Sequence, residues 1–334
     1  MDTFGGLIDR EFGTVAIRPW EIATSEERTP AMSPVTSIRE IHALARQDTP
    51  RTIAVACPHD DDVLRSLERA SAGGLARALL IGRRALIESL CEKLGLSAFR
   101  PEIIDCGDDA DAVELAVRKV RSGEAQMLMK GLVSTGTFLR GVLNKEFGLR
   151  QRPLLSHVAL YETKEPGRLV LFSDVAMNIA PDLSHKAQIL ENAVDLAHRL
   201  GIERPKVAVI AAVETVNPEM PATIDAAALA KMADRGQIKG CVVDGPLALD
   251  NALSVEAARH KGIISPVAGA ADVLLLPDIE AGNILYKALG LVRVFPLAAI
   301  VVGASAPVVL TSRADSDETK FNSIALAAAI SRGV

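Results

Sequence analysis

Short apolar, β-branched runs alternate with helical patterns along most of this chain, and that alternation limits the folds it can adopt. Runs at 52–56, 77–82, 102–105 and 126–130 are separated by segments with apolar residues at helical spacing. A strand–helix–strand rhythm predicts a mostly parallel sheet with helices packed on both faces. The chain is 49% hydrophobic but only 3% aromatic, which is typical of aliphatic strands buried on both faces.

The rhythm changes after residue 150. Residues 154–161 and 168–172 are consecutive strand patterns with no helix between them, which predicts a hairpin and the start of a second domain. A last strand and helix are expected to return to the first sheet. We therefore expect an α/β protein of two three-layer α/β/α domains with a cleft between them. The expected parts are an N-terminal extension (1–50), a discontinuous first domain (51–150 plus 304–334) and a second domain (151–303).

Charge and hydropathy exclude several classes of protein. The formal net charge of -5 argues against general nucleic-acid binding, which requires a basic face. It leaves room for an anionic small molecule, because a few local cations suffice. No apolar run reaches 18 residues and the N-terminus lacks a long apolar segment, so we expect neither a membrane span nor a secretory signal. Together with cysteines that are expected to be reduced, these features predict a cytoplasmic location.

The cysteines and histidines do not suggest a metal site. Cys57, Cys91, Cys106 and Cys241 form no CxxC pair, and we expect them to be reduced, structural thiols. His59 precedes three aspartates that could hold a metal, but a run of helix N-cap residues explains the same pattern. His157 lies in a strand pattern, where a hydrogen-bonded structural histidine is the expected role.

Residues 311–317, Thr-Ser-Arg-Ala-Asp-Ser-Asp, join an apolar strand to a helix predicted over 317–330. Parallel sheets bind ligands at such turns, at the carboxyl ends of their strands. An arginine there suits a planar dianionic group such as phosphate or acyl phosphate. The alternative is a helix cap in which Ser or Asp is the N-cap and Arg313 lies in solvent.

A second strand-to-helix loop, residues 129–137, offers Lys130, Gly131 and Thr135. Its glycines and hydroxyls, together with a helix N-terminus, suit an anion, and Arg140 one turn further is expected to face the same way as Thr137. The alternative is a tight turn with hydroxyl caps and a solvated lysine. The Gly-Lys-Ser/Thr order of a Walker A loop and the GxGxxG pattern of dinucleotide-binding folds are both missing.

Three further polar loops follow predicted strands, at 173–181, 243–250 and 277–287. Each can also be explained as an ordinary turn or helix cap.

Together, the loops of this chain resemble those of the phosphate acetyltransferase and phosphate butyryltransferase family. The matching residues are Met129-Lys130-Gly131 with Thr135 and Leu139-Arg140, Leu155-Ser156-His157, the run 174–181, Val213-Glu214, the run 243–247 with Asp250, the run 265–269 with Ala271-Asp272, the run 282–287, and Ser312-Arg313.

The likeness runs from about residue 52 to the C-terminus, with the matches in the family's order. Within the family, the Lys-Gly pair and the Thr-Ser-Arg-Ala-Asp-Ser run look more like the butyryltransferase branch. The resemblance implies reversible conversion of acyl-CoA and phosphate to acyl phosphate and CoA, by direct thiolate attack in a ternary complex. It also implies an isocitrate/isopropylmalate dehydrogenase-like fold, a homodimer, CoA as a substrate, no permanently bound cofactor and no metal.

The resemblance also implies roles for particular residues. Arg313 would bind phosphate, Ser312 would donate to the developing oxyanion, and Arg140 and Arg150 would bind the CoA diphosphate. The acetyl branch has its proposed base, an aspartate, at the position of Thr319, so Asp315 becomes the candidate base here. The residues expected to contact substrate or phosphate are Lys130, Gly131, Thr135, Ser156, Asn178, Asp244, Gly245, Asn283, Tyr286 and Lys287.

Two alternatives remain open from the sequence. Because Thr319 stands where the base is expected, the chain could be a non-catalytic protein that binds CoA or acyl phosphate. A metal- and NAD-dependent decarboxylating dehydrogenase of similar fold is the other alternative. It would need clustered aspartates for a divalent metal.

Overall fold

The computed structural model describes residues 33–46, 49–163, 168–292 and 295–331. The helices are α1 (Ile38–Ala45), α2 (Asp61–Ala72), α3 (Arg84–Lys93), α4 (Asp109–Arg121), α5 (Thr135–Val142), α6 (Leu183–Arg199), α7 (Pro221–Asp234), α8 (Leu249–Leu253), α9 (Val255–His260), α10 (Ile279–Val292) and α11 (Asp317–Ile330). The strands are β1 (Arg51–Ala56), β2 (Ala76–Gly82), β3 (Glu102–Asp105), β4 (Met127–Lys130), β5 (Ser156–Glu162), β6 (Leu169–Ser173), β7 (Lys206–Ile210), β8 (Val242–Leu247), β9 (Val273–Leu275), β10 (Leu297–Val302) and β11 (Val308–Val309).

The strands form one mixed sheet in the order β3-β2-β1-β4-β11-β10-β5-β6-β9-β7-β8. Strands β3, β2, β1, β4 and β11 are mutually parallel, and so are β6, β9, β7 and β8. Between these groups, β10 pairs antiparallel with β11 and β5, and β5 pairs antiparallel with β6. The predicted hairpin after residue 150 is therefore confirmed, and the C-terminal strand does return to the first group of strands.

The carboxyl ends of β1, β4 and β11 meet at one edge of the sheet. Ala56 pairs with Lys130, and Val309 pairs with Met129. The turn that follows β11 consequently lies beside the loops that follow β1 and β4, where a parallel sheet binds its ligands.

Helices cover both faces of the sheet, as the alternation predicted. Val158 and Leu160 of β5 belong to a buried cluster with residues of α6 and α11. Ala159 and Tyr161 belong instead to the cluster that contains Tyr286 of α10, because successive strand residues point to opposite faces. Residues of α4 and α5 cover the first group of strands on the α10 side, packing on Ala54, Leu128 and Val308.

Strand β8 differs from its prediction. The sequence predicted that a polar loop begins at residue 243, after a strand, whereas β8 continues to Leu247 and the short helix α8 follows. Pro246 lacks a backbone N–H, but β8 lies at the edge of the sheet, where a proline is tolerated. The pairing of β7 with β8 also shifts register between Ala208 and Ile210.

Part of the predicted N-terminal extension packs against the core. The N-cap Ser37 accepts a hydrogen bond from Glu40 N, and the backbone N–H of Val35 donates to Leu200 O at 2.8 Å. His42 Nε2 lies 2.8 Å from Asn322 Oδ1 on α11. Residues 1–32, 47 and 48 lie outside the described residues. Within the described ranges, every helix is too short or too polar to cross a bilayer.

Candidate active site

In the turn after β11, the residue that caps helix α11 is distinct from the other polar residues of the turn. Ser316 is the N-cap of α11 and accepts a hydrogen bond from Thr319 N at 3.2 Å. Ser312 and Arg313 lie before this cap, so helix capping does not account for them. Arg313 is exposed, and its guanidinium has no salt-bridge partner within 4.0 Å among the described residues. The turn thus presents a hydroxyl and an unpaired guanidinium.

Asp315 fastens this turn to α10. Its Oδ2 accepts hydrogen bonds from Ser312 N at 2.6 Å and from Tyr286 Oη at 2.8 Å. Tyr286 is only 5% exposed, and burial, aided by the neighbouring carboxylate, holds its pKa well above the usual value. Burial also raises the pKa of Asp315, although the two hydrogen bonds and the charges of Lys320 and Lys287 act in the opposite direction.

Lys130 ends β4 beside this turn and is 5% exposed. Its Nζ donates to Gly131 O at 3.0 Å and to Val133 O at 3.1 Å, so the alternative of a solvated lysine is wrong. The following residue must be glycine, because a Cβ at Gly131 would lie 2.2 Å from Cys57 O. This close approach keeps the ends of β1 and β4 together around the amine.

Several cations converge at this edge of the sheet. Burial lowers the pKa of Lys130, and the positive charges of Arg313 and Lys320 lower it further, while Asp60 and Cys57 act in the opposite direction. Lys320 is 2% exposed; its ammonium donates to Asp315 O and lies 3.8 Å from Asp62 Oδ2. Buried cations need counter-charges, which makes the edge suitable for an anionic ligand.

Sequence reasoning missed Lys320. It lies four residues after the N-cap Ser316, near the positive end of the helix dipole, where a cation is unfavourable. A lysine near the start of a helix, directly after a polar turn, is the sequence signal that could have identified Lys320.

Asp174 organises the loop after β6. Its Oδ1 accepts from Ala176 N at 2.7 Å and Met177 N at 2.9 Å, and its Oδ2 accepts from His157 N at 3.2 Å and Asn178 Nδ2 at 2.5 Å. Each carboxylate oxygen therefore has two donors within the loop and β5. This arrangement gives Asp174 and Asn178 a role in shaping the loop.

The same loop supports α10. Asn283 Nδ2 donates to Val175 O at 3.0 Å. A Cβ at Gly282 would lie 2.0 Å from Asp174 O, so only glycine allows the helix to approach this closely. Asp174 and its neighbours thereby fix the helix that carries Tyr286.

His157 lies near both the loop around Asp174 and Tyr286 of α10. It is 3% exposed, and its ring centroid is 6.4 Å from that of Tyr286. Neither ring nitrogen meets hydrogen-bond geometry with a described residue, although the Leu310 backbone lies near enough to interact with the ring. The ring is therefore short of the hydrogen-bonded structural histidine that the sequence predicts. Burial lowers its pKa to about 4, and the Leu310 backbone acts in the opposite direction.

The remaining predicted residues lie apart from this cluster. Ser156 is fully buried and accepts from Asn192 Nδ2 of α6 at 3.1 Å, on the face opposite to α10. Asp244 and Gly245 belong to the edge strand β8, where Asp244 Oδ1 accepts from Gly245 N at 2.8 Å. Arg150 is exposed and forms an isolated bridge with Ala304.

The loop after β4 keeps its hydroxyls near the helix start. Ser134 is the N-cap of α5, and Thr135 is exposed. Arg140 Nη2 donates to Thr137 Oγ1 at 3.0 Å, which confirms that Arg140 faces the same way as Thr137. Among the described residues, no group of His, Cys, Asp and Glu side chains could hold a metal ion.

Comparison with known proteins gives a consistent result. The profile of the family described as Phosphate acetyl/butaryl transferase matches residues 86–328. Phosphate butyryltransferase from Clostridium acetobutylicum is 52% identical over 89% of this chain and 98% of its own length. Phosphate acetyltransferase from Thermotoga maritima is 48% identical over 83% of this chain and 94% of its own.

A solved structure agrees with these matches. The branched-chain phosphotransacylase from Enterococcus faecalis V583 superposes with a TM-score of 0.75 at 35% identity, covering 84% of this chain and 99% of that chain. The residues matched by the family profile, 86–328, include the loops after β4, β6 and β11. The chain therefore belongs to the phosphate acetyl/butyryl transferase family.

Proposed function

We propose that this protein is a phosphate acyltransferase that reversibly transfers a short acyl group, acetyl or butyryl, between CoA and inorganic phosphate. The observation that carries the proposal is the convergence of Lys130, Arg313 and Lys320 beside the Ser312 hydroxyl at the carboxyl ends of β1, β4 and β11. A group of cations next to a hydroxyl donor suits an acyl phosphate, which carries a dianion beside a reactive carbonyl. The names of the relatives support the same substrate class.

Arg313 is the proposed ligand of the phosphoryl group. Its guanidinium is exposed and unpaired within the described ranges, so it can form two parallel hydrogen bonds to phosphate oxygens. The N-terminus of α5, with Thr135 exposed beside it, offers further N–H donors. In this arrangement the anion lies between the turn after β11 and the loop after β4.

Ser312 is the proposed donor to the oxyanion. Its backbone N–H donates to Asp315 Oδ2 at 2.6 Å and its Oγ accepts from Ala314 N at 3.3 Å, which leaves the hydroxyl hydrogen available to a ligand. When a CoA thiolate attacks the acyl carbonyl carbon, the carbonyl oxygen gains negative charge. A hydroxyl fixed before the reaction stabilises that charge at little reorganisation cost.

The reaction needs no acyl-enzyme intermediate. The thiolate sulfur forms the new C–S bond, the C–O bond to phosphate breaks, and the thiol proton ends on the released phosphate. The family resemblance makes Asp315 one candidate for the group that accepts the thiol proton. Arg140 and Arg150 are the proposed contacts of the CoA diphosphate. The family resemblance proposes further residues for the substrate site. They are Asn178, Asn283, Tyr286, Lys287, Ser156, Asp244 and Gly245.

The finer architecture is also a proposal. We expect residues 51–150 plus 304–334 and residues 151–303 to act as two domains around a cleft, as in isocitrate and isopropylmalate dehydrogenases. We also expect a cytoplasmic homodimer. The change from parallel to antiparallel pairing at β10 and β5 supports a division of the sheet at this position.

The test is thioester formation from CoA and either acetyl phosphate or butyryl phosphate, with Arg313→Ala as the inactive comparison. Turnover by the wild type, lost in the variant, is the expected result. Binding of CoA by calorimetry with no thioester from any short acyl phosphate would instead support the non-catalytic alternative. No observation favours the decarboxylating dehydrogenase.

A further inference from the structure

Thioester formation requires a group that removes the proton of the CoA thiol, and Asp315 is already engaged. Its Oδ2 accepts from both Ser312 N and Tyr286 Oη. Both bonds are stronger to a carboxylate than to a carboxylic acid, so protonating Asp315 would loosen the turn that holds Ser312. The contacts therefore favour a positioning role for Asp315.

The hydrogen bonds of Lys130 leave one position on its nitrogen open, as a proton acceptor requires. Its Nζ donates two hydrogen bonds, to Gly131 O at 3.0 Å and Val133 O at 3.1 Å. A neutral amine has two N–H donors and one lone pair. Both donors are satisfied by the loop, and the third position on nitrogen has no protein partner within the described residues. No carboxylate lies within 4.0 Å of Nζ in that part of the chain.

The surrounding charges also disfavour the ammonium form. Arg313 in the turn and Lys320 on α11 are cations close enough to lower the pKa of Lys130, in addition to its burial. Asp60 and Cys57, in the loop after β1, act in the opposite direction. Burial and neighbouring cations are the features that turn lysines into general bases.

We propose that Lys130 accepts the thiol proton of CoA and returns it to the departing phosphate. This inference rests on the proposed function. The amine takes the proton from sulfur, the thiolate attacks the acyl carbon, and the C–O bond breaks with its electron pair on phosphate. The ammonium then protonates a phosphate oxygen and is again neutral, and the reverse reaction follows the same steps backward.

The first test compares Lys130→Ala and Lys130→Arg with the wild type in kcat/KM as a function of pH. Loss of a general base costs about 10²–10⁴-fold in rate, and we expect both variants to lose this much together with the acid limb of the profile. Small primary amines should restore Lys130→Ala, better as their pKa rises. Lys119→Ala, which removes a partly buried lysine that is paired with Glu124 at the end of α4 far from the site, is the matched control and should keep wild-type activity.

A second test does not depend on the folding of the Lys130 variants. Lys320→Met removes a neighbouring cation at similar volume, so the acid limb of kcat/KM should move to higher pH. A purely structural role for Lys130 predicts lower activity with no such movement. Asp315→Asn should lower activity but keep the limb.

The proposal is overturned if Lys130→Arg retains wild-type activity, if the limb stays in place in Lys320→Met, or if it disappears in Asp315→Asn. Thermal unfolding and calorimetric CoA binding confirm that each variant is folded. The experiments are interpreted against an active wild type, so a wild type without thioester formation would refute the proposed function itself.

Discussion

The hydroxyl of Tyr286 donates to Asp315 Oδ2 at 2.8 Å, and the same oxygen accepts the backbone N–H of Ser312 at 2.6 Å. One carboxylate oxygen thus joins α10 to the turn that presents the Ser312 hydroxyl. The position of α10 is fixed in turn by the loop around Asp174, through Gly282 and Asn283. Side chains far from the reacting atoms consequently determine the geometry of the turn.

Replacing Tyr286 with Phe should lower both stability and kcat. A hydrogen bond to a charged group contributes about 1.5–3 kcal/mol, and its loss leaves Asp315 with a single donor at Oδ2. We expect urea denaturation to show a loss of this size and kcat to fall about tenfold or more. Tyr161→Phe removes the same atom from the other tyrosine. That residue is also buried, but its hydroxyl has no hydrogen-bonding partner among the described residues. Equal behaviour of the two variants would contradict the role of Tyr286.

Replacing Arg313 with Ala should reduce kcat/KM by more than about 100-fold, because a charge-assisted contact to phosphate is worth several kcal/mol in the transition state. Arg69→Ala is the comparison. Arg69 also lies beside the start of α11, where it pairs with Asp317 at 3.2 Å and Glu318 at 2.7 Å. Such half-exposed pairs contribute about 0.2–1 kcal/mol, so Arg69→Ala should keep nearly full activity. Activity retained in Arg313→Ala would remove this residue from the site.

His157 should make stability fall in mild acid. Burial lowers its folded-state pKa to about 4 from the ordinary histidine value of 6.5. The unfolded chain therefore binds a proton that the folded chain does not, and the stabilising contribution, present above about pH 6.5, is lost as the pH falls toward 4. The full effect is on the order of 3 kcal/mol.

Urea denaturation between pH 7 and pH 4, with His157→Gln for comparison, measures this contribution. The difference in unfolding free energy between wild type and variant should shrink as the pH falls. Buried carboxylates with raised pKa values, such as Asp174, act in the opposite direction in both proteins and cancel in the difference. A difference that does not vary with pH would contradict the neutral state of His157.

Asp174→Asn should be strongly destabilising. All four hydrogen bonds to the carboxylate come from N–H donors, and an amide NH₂ would face two of them. Leaving buried donors unpaired costs about 1–3 kcal/mol each. Asp182→Asn, at the exposed N-cap of α6, makes the same chemical change where asparagine caps equally well. Thermal unfolding of the two variants should differ by several degrees, and similar melting temperatures would contradict the account.

Much of the fold could be predicted from the sequence. Helix α11 has the predicted bounds, 317–330, because the N-cap Ser316 fixes where the helix begins. The placement of Lys130 and the 311–317 turn at the carboxyl ends of parallel strands follows from strand direction alone. The length of β8 did not follow, because Gly245-Pro246 reads as a turn and is tolerated in a strand only at a sheet edge.

The side-chain directions within the site could not be predicted. Ser156 and His157 are neighbours in one motif, yet the strand pleat turns Ser156 toward α6 and His157 toward α10. Lys320 enters the cluster through the packing of α11 against α2, a contact between residues far apart in sequence. Local pattern identifies which loops matter, whereas tertiary packing decides which atoms meet.

The most direct test of the central claim is to follow thioester and phosphate together as purified protein acts on butyryl phosphate or acetyl phosphate. Direct transfer to CoA predicts equal amounts of thioester and phosphate, formed at the same rate, with no phosphate released when CoA is omitted. Phosphate released without thioester, or a burst of phosphate before CoA is added, would contradict a phosphate acyltransferase that works in a ternary complex.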